Sequence, residues 1–156
     1  MIKTYGYTDN TQLSPHFNAQ EFRCKCGKAH DFQIDDDLIT RLEALYAALN
    51  CSKIIVTSGF RCAAHDKAVK GSGTGQHTLG KAADICCYGQ NGQPISSKTV
   101  CCKAQDTGFT GIANTTAAYI YTHVDVRSGR KWYGDEVHGN SSVTDNFYKY
   151  FGGEDM

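Results

Sequence analysis

Gly75-Gln76-His77-Thr78-Leu79-Gly80-Lys81-Ala82-Ala83-Asp84, completed further along by Tyr121-Thr122-His123-Val124-Asp125-Val126-Arg127, is the stretch that decides how this chain is read. Two histidines and one aspartate on separate segments are what an open zinc site requires. Three protein ligands fix the ion, and the fourth position is left for water or substrate. Two neutral imidazoles and one carboxylate leave a bound Zn²⁺ with a net positive charge, which favours hydroxide and a polarised carbonyl oxygen. The pattern points to metal-dependent hydrolysis. A histidine taken singly is more often an ordinary core or surface residue, and His16, His30 and His65 keep that reading.

The surroundings place these residues on elements. Residues 119–126 alternate as a strand, so His123 shares a face with Tyr121 and Asp125 while Ile120, Thr122, Val124 and Val126 point into the core. Residues 82–86 form a second strand carrying Asp84, and the Gly- and Ser-rich run 70–75 is a loop leading to His77. Residues 34–49 are the clearest helix. Asp35 caps it, Asp36 and Asp37 suit its positive end, and Leu38, Ile39, Leu42, Leu45, Tyr46 and Leu49 form one apolar stripe. The β-branched run 53–58 reads as a buried strand and residues 61–69 as a short helix. Residues 91–94 are a turn, a helix capped by Ser96 or Ser97 runs to about 106, and residues 109–112 are another strand. The segment 13–27 is irregular, and the tail after Trp132 carries no clear pattern.

The chain has 156 residues, enough for one domain with a real core. Residues 1–12 are expected to be a loose N-terminal segment and residues 13–156 a single catalytic domain. Sixteen basic residues balance sixteen acidic ones, so no basic excess argues for nucleic acid or an anionic membrane as partner. No apolar run approaches the roughly 20 residues that span a bilayer, and the N-terminus lacks the apolar core of a signal peptide. A soluble monomer is expected.

Eight cysteines fall as Cys24-x-Cys26, single Cys51 and Cys62, and the pairs Cys86-Cys87 and Cys101-Cys102. Bridges within such pairs are strained, so any disulfide would join distant segments. Three readings stand: buried thiols acting as small apolar residues, disulfides, and a second, structural zinc site using Cys24 and Cys26. No C-x-x-C is present to supply a redox pair.

The run Thr57-Ser58-Gly59-Phe60-Arg61, then Gln76-His77-x-x-Gly80-x-Ala82-x-Asp84, then His123-Val124-Asp125-Val126-Arg127 resembles the zinc D-Ala-D-Ala carboxypeptidases. That family includes D,D-dipeptidases and phage L-alanyl-D-glutamate endopeptidases, and its fold is similar to the hedgehog signalling domain. Leu13-Ser14-x-His16-Phe17 and Glu21-Phe22-x-Cys24-x-Cys26-Gly27 are similar to the start of many phage and Gram-positive members. The resemblance runs from about Leu13 to Arg127.

It implies an α+β fold with a small central antiparallel sheet flanked by helices, one zinc ion held by His77, Asp84 and His123, and substrate contacts from Arg61 and Gln76. A guanidinium suits that work because its fork holds a carboxylate or tetrahedral oxygens through two bonds. The implied substrates are peptidoglycan stem peptides, met at the bacterial cell wall during phage lysis or wall remodelling. Many relatives carry a glutamate base three residues before the last histidine, where this chain has Ile120, and a serine where it has Gly75. Asp125 then stands either as the general base or as a group orienting His123 or Arg127, with Glu136 and His138 ranked below it. The alternative is a zinc-containing wall-binding or phage structural module without hydrolysis.

Overall fold

A computed structural model describes residues 1–69, 75–115, 121–135 and 138–151. Its centre is a six-stranded sheet that makes the fold α+β. In spatial order the strands are β10 (Asn140–Thr144), β9 (Lys131–Asp135), β7 (Gly111–Asn114), β8 (Thr122–Asp125), β6 (Ala82–Tyr88) and β5 (Lys53–Ser58). All neighbours are antiparallel except β7 and β9, which run parallel, so the sheet is mixed.

The sheet has one apolar face. Ala83, Ile85 and Cys87 of β6, Ile112 of β7 and Val124 of β8 alternate inward and are buried. Two helices cover them: α1 (Asp36–Ala48) and α3 (Ser97–Asp106). Leu38, Ile39, Leu42 and Leu45 of α1 share the core with Val100, Cys101 and Ala104 of α3. Each fully buried leucine of this kind is worth about 2–5 kcal/mol against truncation to alanine. Thr122, also on the inner face of β8, satisfies its hydroxyl against Ser97 Oγ at 2.8 Å.

Helix α1 begins as the sequence suggests: the Asp35 carboxylate accepts the Asp37 N–H at 2.9 Å. Asn50, just past its end, has a φ of 50°. Ser96 caps α3 through the Thr99 N–H. Between β5 and β6 lies a short helix, α2 (Ala63–Ala68).

Several expectations change. Residues 1–12 are not a loose segment throughout, because β1 (Ile2–Tyr5) pairs with β4 (Phe32–Asp35), and Tyr5 stacks on Phe32 at 5.8 Å. Strand β5 is an edge strand rather than a wholly buried one: Ile54 and Val56 face the core, while Ile55 is 41 % exposed. The segment 13–27 holds a small ladder, β2 (Gln12–Ser14) with β3 (Phe17–Asn18), and a 3₁₀ turn at Ala19–Phe22. The unpatterned tail supplies β9, β10 and a terminal turn of helix, α4 (Tyr148–Phe151). The proposed loop 70–75 and strand 119–126 fall partly on residues 70–74 and 116–120, outside the described residues. Among the described residues no helix is long and apolar enough to cross a membrane.

Candidate metal centre

Opposite the helices, the other sheet face carries the chemistry. The β6–β8 register sets Asp84 directly across from His123, and Ala82 across from Asp125. Directly opposed antiparallel residues have Cβ atoms about 4.5–5.5 Å apart, so the ladder alone brings the carboxylate and imidazole together. His123 Nδ1 lies 3.2 Å from Asp84 Oδ1.

His77 arrives from a loop, not a strand. Its Nε2 lies 3.3 Å from the same Asp84 Oδ1, and its Nδ1–H donates to the Gly59 carbonyl at 2.7 Å. That donation fixes the tautomer and leaves the Nε2 lone pair facing Asp84. The loop closes at Gly80, whose φ is +77° and whose Cβ position would fall 2.5 Å from the Gln33 carbonyl oxygen. Lys81 then reaches the Asp35 carboxylate at 2.8 Å.

Arg61 stands beside the cluster, and among the described residues three of its five N–H bonds are in use. They go to Ser58 Oγ at 2.9 Å, Asp66 Oδ1 at 3.0 Å and Asp84 Oδ2 at 3.1 Å. Asp84 is thereby held at both oxygens, one facing the two imidazoles and the other Arg61. Burial opposes its ionisation, yet hydrogen bonds and charge from His123 and His77 hold the carboxyl well below the usual carboxylate range.

Asp125 lies behind His123. Its Oδ2 accepts from His123 Nε2 at 2.7 Å and from Arg127 Nη2 at 2.6 Å, while Oδ1 accepts the Arg127 backbone N–H at 3.1 Å and Nε–H at 2.9 Å. The residue is fully buried, and its carboxyl is held low by His123 and Arg127 despite that burial. Burial also works against a charged His123, but hydrogen bonds and charge from Asp125 and Asp84 outweigh it and raise the imidazole to about 9.

The family described as Peptidase M15 matches residues 15–125, which include His77, Asp84 and His123. The chain belongs to that family. Peptidase M15 members are zinc-dependent peptidases of the D-Ala-D-Ala carboxypeptidase type. No curated protein matches the chain.

The donor set fits the family's metal. Four-coordinate zinc with bonds of about 2.0–2.1 Å places neighbouring donors roughly 3.3 Å apart, and the two distances from Asp84 Oδ1 are 3.3 and 3.2 Å. No fourth Cys, Asp, Glu or His joins the group among the described residues. The arrangement can hold one ion and leave a coordination position free.

The remaining candidates divide. Gln76 precedes His77, and its side-chain oxygen is buried without a hydrogen-bond partner among the described residues. His138 is away from the cluster, exposed and bonded through Nδ1 to Asp135 at 2.6 Å. Ile120 and Glu136 lie outside the described residues. Three contributors had no signal in the sequence pattern. The Gly59 carbonyl orients His77. Gly111, opposite Asp125 on β7, leaves space that a Cβ would fill at 2.1 Å from the carboxylate. Trp132 of β9 meets the His123 ring edge-on at 6.0 Å, with the Arg127 guanidinium 4.7 Å over its own ring.

Proposed function

We propose that this M15 peptidase hydrolyses peptide bonds in the stem peptides of bacterial peptidoglycan, with His77, Asp84 and His123 as its zinc ligands. The observation that carries the reading is the convergence of both imidazoles on one oxygen of Asp84 at zinc-like spacing. Zinc bound there supplies an acidified water and a polarised scissile carbonyl. Among the described residues Arg61 spends three of its five N–H donors, on Ser58, Asp66 and Asp84, and the other two are suited to grip a substrate carboxylate or steady charge on the attacked carbonyl. Gln76, beside His77, is the second substrate contact in this reading; its side-chain oxygen has no hydrogen-bond partner among the described residues. Trp132 supplies an apolar wall beside His123.

Asp125 takes the orienting role of the two open to it. Both oxygens already accept hydrogen bonds, and it faces the ring nitrogen of His123 that points away from Asp84. It keeps His123 Nδ1 turned to the metal position and accepts no proton from the reaction.

Those same bonds favour a second reading, a zinc-containing wall-binding module without turnover. With Asp125 committed and Ile120 where many relatives carry glutamate, neither position offers a free carboxylate to take a proton. The discriminating experiment incubates zinc-loaded protein with purified muropeptides and follows new amine termini by mass spectrometry. Release of D-alanine or of a cut stem supports the peptidase. Retained muropeptide binding with no new termini at any pH supports the module.

A further inference from the structure

We propose that Cys24, Cys26, His30 and Cys62 form a second, structural zinc site, separate from the His77–Asp84–His123 cluster. Their four ligand atoms all lie within 4.8 Å of one another, and all three cysteines are free thiols. Three sulfurs and one imidazole form a closed set of four, the number at which structural zinc is complete with no position for substrate. Thiolates also select zinc over the hard cations that carboxylates favour.

The local geometry suits ligation. Cys26 Sγ is 3.1 Å from His30 Nε2. His30 Nδ1–H donates to the Asp31 carbonyl at 2.7 Å, which fixes the tautomer and turns the Nε2 lone pair toward the sulfurs. Cys24 Sγ accepts the Cys62 backbone N–H at 3.3 Å, a bond that stabilises a thiolate. Gly27, at φ +85°, reverses the chain immediately after Cys26 with nothing crowding it. His30 is therefore no ordinary surface histidine, and the missing partner of the Cys24-x-Cys26 pair is Cys62, contributed from beyond β5.

The site has a structural consequence. Cys62 follows Arg61, and the same short segment contains Gly59, whose carbonyl orients His77. Phe60 N–H donates to the Phe22 carbonyl at 2.8 Å, so the cysteine-bearing loop and residues 59–62 already touch. An ion bridging them locks the backbone that positions Arg61 and His77.

Cobalt distinguishes the two sites, because thiolate ligation gives intense near-ultraviolet charge-transfer absorption and a His–Asp–His set does not. Titration of the reduced full chain should bind two equivalents and develop that band. Cys26→Ser and Cys62→Ser should each lower uptake to one equivalent and abolish the band. His77→Ala should also lower uptake to one equivalent yet keep it. Chelation of the His77→Ala protein should still lower Tm, by about 5 °C or more. Should Cys62→Ser fail to fold, Cys26→Ser in the partly exposed loop carries the test. Absence of the band in the wild type, or its survival in Cys26→Ser, would overturn the proposal whatever the hydrolytic activity proves to be.

Discussion

The two halves of the candidate metal centre are built in different ways. Asp84 and His123 sit opposite each other on adjacent strands, so a ladder of backbone hydrogen bonds sets their separation. A slip of one residue in either strand would turn that strand's ligand to the core face. His77 and Arg61 come from connections, and each needs separate anchors. Gly59 holds the imidazole, Gly80 and Lys81 hold the loop's far end against Gln33 and Asp35, and Asp66 and Ser58 hold the guanidinium. Precision from the sheet is inherited from its register; precision in the loops is assembled contact by contact.

The comparison predicts a graded set of responses. Asp84 is the shared point of both halves, so Asp84→Asn should give the largest effect. Losing about 4 kcal/mol of charge stabilisation corresponds to a ~10³-fold fall in hydrolysis, and zinc uptake at this site should vanish with it in equilibrium dialysis. Asp125→Asn tests the strand-borne half more gently. If Asp125 orients His123, zinc affinity should drop about 10–100-fold, and turnover compared at equal zinc occupancy should largely recover. A base would behave in the opposite way, leaving affinity intact and turnover low.

Gly80→Ala probes the loop-borne half. A methyl group there meets the Gln33 carbonyl and must adopt a left-handed backbone, a combined cost of about 2–3 kcal/mol. Urea unfolding should show that loss, with weakened zinc binding because the His77 loop is displaced. The smallest effect belongs to Asp35→Asn, which keeps a helix cap but removes the charged bond to Lys81, worth about 1–2 kcal/mol at neutral pH. Burial opposes Asp35 ionisation, but Lys81, the Asp37 N–H and the N-terminus lower its pKa. Its stabilisation is therefore complete above the unfolded value of about 3.9 and is lost as pH falls through the lower folded value. The stability gap between wild type and variant should close on acidification.

The same contrast explains what could be read from the sequence. Helix α1 was legible because its cap, acidic first turn and apolar stripe are all local. So were α3 and much of β5 and β6. The Gln76-His77 to Asp84 run and His123-Val124-Asp125 stood out through residue type, strand alternation and the family resemblance. What stayed hidden depends on pairing over long distances. Strand β1 shows its role only through β4, and β9 and β10 only through the sheet edge they extend. The Gly59 carbonyl carries no residue signature, Gly111 matters only because Asp125 lies across from it, and Cys62 is distant in sequence from Cys24, Cys26 and His30.

The most direct test of the metal centre is a zinc-edge anomalous difference map from crystals of the zinc-loaded protein. The account predicts a peak bonded to His77 Nε2, Asp84 Oδ1 and His123 Nδ1 together, at about 2.0–2.2 Å from each. An empty cluster at full zinc loading, or an ion seated against Asp125 and the other nitrogen of His123, would contradict it.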